Sequence, residues 1–338
     1  MIAIEQAAAL YLQQQALQPQ QSQASAFAPS NIALCKYWGK RQAALNLPMN
    51  ASLSLSLGEL GTHTQVRVAE AKEDQVILNG RRLAADSRFA TKVSQFIDLF
   101  RGPQGQALLV DTRNTIPTAA GLASSASGFA ALTLALSRLY GLQLPYSHLS
   151  AMARLGSGSA CRSLFQGLVE WHAGEREDGL DSYAEPLQWH WPELRLGVLA
   201  LTQEEKKVDS RAGMNRTTDT CLLYQQWPAQ AARDLRLLKQ AFAERDLKLL
   251  GETAEHNALS MHATMIATWP PLLYWLPESV AAMQQVWQAR AEGLALYFTM
   301  DAGPNLKLIF SQQQQPQVQA LFPQLQVVIP GDGPNPLV

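Results

Sequence analysis

The sequence predicts a two-domain α+β protein, and three observations carry that prediction. At 338 residues the chain is longer than one hydrophobic core ordinarily organises. Its first half sets alternating strand patterns ahead of helical ones. Its second half runs through several helical segments and then short apolar strands, as a helical layer over an antiparallel sheet requires. The expected division is a Gln-rich arm over 1–27, an N-terminal domain over 28–193 and a C-terminal domain over 194–338.

The arm contains QQQALQPQQSQAS, polar and interrupted by proline, so it reads as a mobile arm or a marginal helix, with order beginning near Ala28. From Leu53 to Val68 the chain alternates, as in SLSLSL and THTQVRV, the period of strands with one buried face. QVILNGRRL adds a strand and an Asn-Gly turn. In SRFATKVSQFIDLF, residues Phe89, Val93, Phe96, Ile97 and Phe100 share one helical face. GFAALTLALSRLYG reads as a helix stopped by Gly141, and HLSAMARLGSGSACRSLFQGLVEW as helix, polar turn and strand. A strand begins near residue 194, and the segment from Arg216 to Ile266 reads as several helices broken near Trp227-Pro228 and Gly251. LALYFTMDAGPN ends a strand in a Gly-Pro turn, and LKLIF and LQVVI supply two more strands.

A net charge of -1 offers no broad attraction to a nucleic-acid backbone or an anionic membrane, so any basic site is local. No apolar run approaches the roughly 18 residues of a membrane span. No Lys or Arg precedes Lys36, so a basic signal-peptide start is missing and a cytoplasmic location is the expectation. Cys35, Cys161 and Cys221 show neither a CxxC nor zinc-ligand spacing, and read as free thiols. A catalytic thiol at Cys35 or Cys161 stays open because both sit in polar motifs.

The stretch PTAAGLASSASGFAAL poses the chemical question. Pro117 does not fit mid-helix, and Gly121 lets backbone approach a ligand closely. A helix starting near Ser124 or Ser125 would point unpaired N–H groups into the turn beside the hydroxyls, a geometry that receives phosphate. A serine N-cap on a packed helix explains the same residues, and the P-loop spacing GxxxxGK[ST] is missing.

Four motifs in order decide between these readings: NIALCKYWGKRQAALNLPMNASLSLSL at 31–57, NTIPTAAGLASSASGFAAL at 114–132, SGSACRSLFQG at 157–167 and MDAGPN at 300–305. Together they resemble the diphosphomevalonate decarboxylases, a branch of the GHMP small-molecule kinase superfamily. The resemblance implies a ribosomal S5 domain 2-like N-terminal domain, a ferredoxin-like C-terminal domain and a site in the cleft between them. It implies ATP and Mg2+ as cofactors, mevalonate 5-diphosphate as the small-molecule substrate, and phosphorylation of the C3 hydroxyl followed by loss of phosphate and carbon dioxide. Nucleic acid and membrane are not expected partners; a homodimer is compatible with the resemblance.

Residue by residue, the resemblance implies that Ala120, Gly121, Leu122, Ala123, Ser124, Ser125 and Ser127 hold the ATP phosphates. Tyr37, Trp38, Gly39 and Lys40 match the family's substrate segment, with Lys36 just before it and Asn31 orienting the carboxylate or Lys36. Arg162 is implied to grip the departing carboxylate with its planar fork, and Ser157, Gly158, Ser159, Ala160 and Cys161 to line the substrate. Asp301 is implied to contact the C3 hydroxyl and to orient or deprotonate it. Arg88 stands near a diphosphate-binding arginine of the family, and Arg216 with Thr217 falls in a substrate-contacting segment. No metal ligand is assigned. His256 and His262, six apart, do not share a helix face and read as structural or supporting residues. The alternatives are a kinase of the same fold, a monophosphate decarboxylase, and a non-enzymatic relative that only binds.

Overall fold

The computed structural model describes residues 2–13, 15, 18–102, 105–115, 124–202 and 208–338. The N-terminal part contains α1 (Ile4–Tyr11), β1 (Gln23–Cys35), β2 (Lys40–Gln42), β3 (Leu47–Pro48), β4 (Ser52–Val68), β5 (Gln75–Leu78), β6 (Arg81–Arg82), α2 (Arg88–Arg101) and β7 (Leu108–Asn114). It continues through α3 (Ser124–Leu139), α4 (Tyr146–Gly156), a 3-10 segment Gly158–Leu164, β8 (Leu168–Trp171) and β9 (Ala184–Pro186). The remainder comprises β10 (Leu194–Leu199), α5 (Ser210–Thr220), a 3-10 segment Leu222–Gln226, α6 (Trp227–Glu244), α7 (Leu247–Ile266), α8 (Pro277–Ala291), β11 (Tyr297–Met300), β12 (Leu306–Ser311), α9 (Gln315–Leu321) and β13 (Gln326–Val328).

β4 organises the first sheet, whose order is β6-β5-β7-β4-β8-β9 with β1 also paired to β4. All these pairings are antiparallel except β5 with β7. The SLSLSL alternation gives β4 two different faces. Leu53, Leu55 and Leu57 join Ile32 and Leu34 of β1 in a core shared with Leu238 and Phe242 of α6 and Leu250 and Ala254 of α7. On the opposite face, Ser52 and Ser56 meet Arg162 and Gln166 through their hydroxyls. One strand thus seals the interface between the two halves and lines a polar site. The second sheet, β11-β12-β10-β13, is wholly antiparallel and carries α7 and α8 against it.

Two sequence expectations need correction. Order does not wait until Ala28: β1 starts at Gln23, pairing Gln23 with Arg67 through Phe27 with His63. Upstream, α1 buries Ala7, Ala8 and Tyr11, whose spacing gives even this short helix a packed face against α2 and α4. The Tyr11 hydroxyl donates to the Asp178 carbonyl and accepts from Arg154 Nη2 at 2.7 Å. Gly251 breaks nothing, because it lies inside α7 where a Cβ would stand 2.1 Å from the Tyr297 ring. The helix stop is instead Arg245, left-handed at φ 54°, followed by Asp246 as the cap that accepts from Leu249 N.

Candidate active site

Asp301 leaves the end of β11 and Lys36 leaves the end of β1, so two sheets deliver the two halves of one ion pair. Lys36 Nζ donates to Asp301 Oδ1 at 2.8 Å and to the Ala33 carbonyl at 2.7 Å. The lysine is fully buried, while 37% of the Asp301 side chain remains exposed, so the carboxylate is the member that can meet a ligand. Burial pushes the Lys36 pKa down and Asp301 pulls it back up. Burial alone would raise Asp301, but Lys36, Lys307 and Arg162 hold it down at about 2. The carboxylate is therefore ionised at any working pH.

Arg162 sits in the 3-10 segment Gly158–Leu164 and is buried, 3% exposed. Its Nη1 donates to Ser52 Oγ at 2.6 Å, and Nε and Nη2 donate to Asn31 Oδ1 at 3.3 and 3.2 Å. The guanidinium lies over the Trp171 ring, 5.6 Å from its centre. Asn31 is fixed from its other end by donating to Ser163 Oγ and the Ser159 carbonyl. Among the described residues no carboxylate lies within ion-pairing distance of Arg162. A buried cation held by neutral acceptors is costly, and it becomes favourable when an anion arrives.

The KYWG segment between β1 and β2 has almost no backbone freedom. Lys36 N donates to Asn257 Oδ1, the Lys36 carbonyl accepts from Asn50 Nδ2, and the Trp38 carbonyl accepts from Tyr224 Oη and Trp227 Nε1. Gly39 has φ +95°, and a Cβ there would lie 1.7 Å from Tyr224 Oη, so only glycine fits. Tyr37 packs edge-on to Trp171, and its buried hydroxyl has no hydrogen-bond partner among the described residues. That hydroxyl lies against Gly158, where a Cβ would be 2.9 Å from it. An orphaned donor at the SGSACR turn fits a polar ligand.

Positive charge gathers beside this segment. Lys40 Nζ donates to Asn46 Oδ1 at 2.6 Å, and Lys92 stands 4.5 Å over the Phe129 ring. Burial, with Arg211 and each lysine's other cationic neighbours, pushes both pKa values down to about 8. Arg88, exposed, pairs with Asp209 at 2.9 Å, and Asp209 caps α5. Among the described residues, Lys40, Arg88, Lys92 and Arg211 thus form a cluster with one carboxylate, Asp209, suited to a multiply charged anion.

Residues 28–184 match the family model described as the diphosphomevalonate decarboxylase-like N-terminal domain, and residues 197–330 match the mevalonate 5-diphosphate decarboxylase C-terminal domain. The chain belongs to the diphosphomevalonate decarboxylase family. It is 39% identical over 313 residues to the diphosphomevalonate decarboxylase of Aspergillus fumigatus, covering 86% of this chain and 77% of that one. A solved structure of MDDEF in complex with MVAPP, AMPPCP and magnesium is 41% identical with a TM-score of 0.86, over 91% of this chain and 97% of that one. Mevalonate diphosphate decarboxylase from Staphylococcus aureus is 38% identical with a TM-score of 0.86, over 91% and 96% of the two chains. The two-domain GHMP architecture expected from the motifs is the one found.

The structure brings Asn31, Lys36, Tyr37, Arg162 and Asp301 together, with Ser157 and Ser159 on the adjoining turn. Ser125 Oγ lies 3.5 Å from Ser157 Oγ, joining the start of α3 to that turn. Ala120, Gly121, Leu122 and Ala123 lie outside the described residues, as does the side chain of Ser124. Ser127 is buried, and its hydroxyl meets those of Ser30 and Thr62, which ties α3 to the sheet. Thr217 spends its hydroxyl on the Gly213 carbonyl of its own helix, and Arg216 donates to the Pro270 carbonyl, so neither side chain joins the group around Asp301. Ala160 and Cys161 are buried behind the turn. Burial pushes the Cys35 and Cys161 thiols up to about 12, which removes the catalytic-thiol reading.

Sequence reasoning missed Lys92, Arg211, Asn50, Asn257, Tyr224 and Trp227. Lys92 alone carried a usable signal, since Arg88 and Lys92 are four apart on one helix and face the same way. The others act through contacts between distant segments. Among the described residues no group of three or more His, Cys, Asp or Glu is placed to hold a metal, and no helix is long and apolar enough to cross a membrane.

Proposed function

We propose that the protein converts mevalonate 5-diphosphate and ATP to isopentenyl diphosphate, ADP, phosphate and carbon dioxide. The observation that carries this reading is the buried Arg162 guanidinium, whose hydrogen-bond partners among the described residues are all neutral and which helps to hold Asp301 ionised. A simple kinase of this fold has no use for such a grip. The substrate carboxylate supplies the missing anion, and Arg162 aligns the bond to that carboxylate with the C3–oxygen bond. Asp301 accepts a hydrogen bond from the C3 hydroxyl, aims its oxygen at the γ-phosphorus, and takes its proton as the new O–P bond forms and ADP leaves. Lys36 keeps Asp301 ionised. Departure of the C3 phosphate then draws the electrons of the C–carboxylate bond into the new double bond and releases carbon dioxide.

Lys40, Lys92, Arg88 and Arg211 bind the substrate diphosphate in this reading. The start of α3, with Ser125 and the residues before it, receives the ATP phosphates. Magnesium would come with those phosphates and would supply charge neutralisation for them; among the described residues no group of three or more carboxylate, His or Cys side chains is placed to hold it. The boundary between the two domains at 193/194, a cytoplasmic location and a homodimer belong to the same proposal. The test is stoichiometry with ATP, magnesium and mevalonate 5-diphosphate. Equal ADP, phosphate and carbon dioxide support it, ADP without carbon dioxide makes the protein a kinase, and preference for the monophosphate revises the role of the basic cluster.

A further inference from the structure

One helix touches both members of the Lys36–Asp301 pair through their backbones. On α7, Asn257 Oδ1 accepts from Lys36 N at 2.8 Å, and His262 Nε2 lies 2.9 Å from the Asp301 carbonyl. Both side chains are buried, at 0% and 1% exposure. α7 packs against β1 and against β11, the strands that end at these two residues. We propose that Asn257 and His262 are positioning residues that set the distance and direction of the Lys36–Asp301 pair across the domain interface. The proposal rests on the reading of Asp301 given above.

Each contact has its polarity enforced. The Asn257 amide could in principle present either end to Lys36, but its Nδ2 donates to Asp234 Oδ2 at 2.7 Å. Asp234 is itself buried, and its other oxygen accepts from Gln230 Nε2 at 2.7 Å. With a carboxylate on one side of the amide, the oxygen must face the Lys36 N–H. His262 is held neutral, its pKa pushed down to about 4 by burial, and its ring lies 5.5 Å from that of Trp275 at 32°. The neutral ring must carry its proton on Nε2 to donate to a carbonyl. The same carbonyl accepts from Gly303 N at 2.7 Å, so the turn after β11 is pinned from inside and from the helix.

An ion pair whose partners come from different sheets depends on how those sheets dock. Long, flexible lysine alone does not fix where the carboxylate points. Tying both backbones to one rigid helix does, and misplacement of a catalytic group by about 1 Å can cost about a hundredfold in rate.

The test compares His262→Phe, which keeps a ring beside Trp275 but removes the donor, with His262→Gln, which keeps a donor. The measurements are kcat, KM for both substrates, thermal stability, and a double-mutant comparison in the Asp301→Asn background. The expected result for His262→Phe is a loss in kcat of about ten- to a hundredfold with KM values nearly unchanged. His262→Gln should recover most of that loss, and His262→Phe should add nothing once Asp301 is Asn. A folded His262→Phe with normal kcat, or one whose loss is all in KM, overturns the proposal. So does an equal loss in His262→Phe and His262→Gln. If Asp301→Asn itself turns over normally, the functional reading fails first and this proposal with it. Should His262→Phe not fold, Asn257→Ser carries the same comparison, with normal kcat again the overturning result.

Discussion

Replacing Arg162 by methionine separates the cost of building the site from its use. The change removes a guanidinium that is 3% exposed and keeps a side chain of similar length. It loses three hydrogen bonds, at 2.6, 3.2 and 3.3 Å, to neutral acceptors. Bonds to a charged group contribute about 1.5–3 kcal/mol each, so the loss is about 4.5–9 kcal/mol. Relief from burying the cation is also several kcal/mol. The two nearly cancel, and the unliganded variant should unfold within about 2 kcal/mol of the parent in urea. Substrate is different, because truncating one partner of a buried charge pair costs about 2–5 kcal/mol. kcat/KM for mevalonate 5-diphosphate should therefore fall by between about thirtyfold and several thousandfold. An analogue with hydrogen in place of the carboxylate should bind parent and variant equally in calorimetry. A large loss of unliganded stability together with lost analogue binding would instead make Arg162 a structural residue.

Other outcomes follow from neighbouring contacts. Lys40 and Lys92, with pKa values near 8, are protonated below that pH and lose charge above it, so kcat/KM should fall as pH rises through about 8. Converting both to Arg should move that limb upward, and an unchanged limb would remove them from the diphosphate site. Asp301, held near 2, should give no acidic limb above about pH 4. Gly39→Ala should cost about 2 kcal/mol or more in thermal unfolding, from its positive φ and the collision with Tyr224. Tyr224→Leu should relieve part of the collision. Removing residues 1–12 takes away Tyr11 and leaves Arg154 Nη2 without that partner, so stability should fall by about 2 kcal/mol or more; unchanged unfolding would show that α1 adds nothing.

Much of the site was legible because its residues lie in short contiguous motifs. KYWGK, SGSACR and MDAGPN each keep their chemistry within a few residues, and the Gly-Pro turn after Met300 marked where Asp301 would stand free. The alternation of SLSLSL likewise marked which side of β4 is apolar, but it did not show that the serine side is buried as well. What the sequence hid depends on tertiary docking. Asn257 and His262 look like ordinary polar residues in a helix, and only the approach of β1 and β11 gives them partners. Gly251 read as a breaker because its tight contact is with Tyr297, far along the chain. The arm misled through its glutamines, which outweighed the spacing of Ala7, Ala8 and Tyr11.

In the proposed reaction Asp301 drives phosphorylation of a hydroxyl, and Arg162 holds the neighbouring carboxylate until it leaves as carbon dioxide. Single-turnover reaction of the intact protein with ATP, magnesium and mevalonate 5-diphosphate labelled at the carboxyl carbon tests it most directly, run beside Asp301→Asn. Labelled carbon dioxide and isopentenyl diphosphate are expected from the parent, with both nearly abolished in a folded Asp301→Asn that still binds substrate. Carbon dioxide released at the parent rate by Asp301→Asn, or ADP formed by the parent with the label retained, would contradict it.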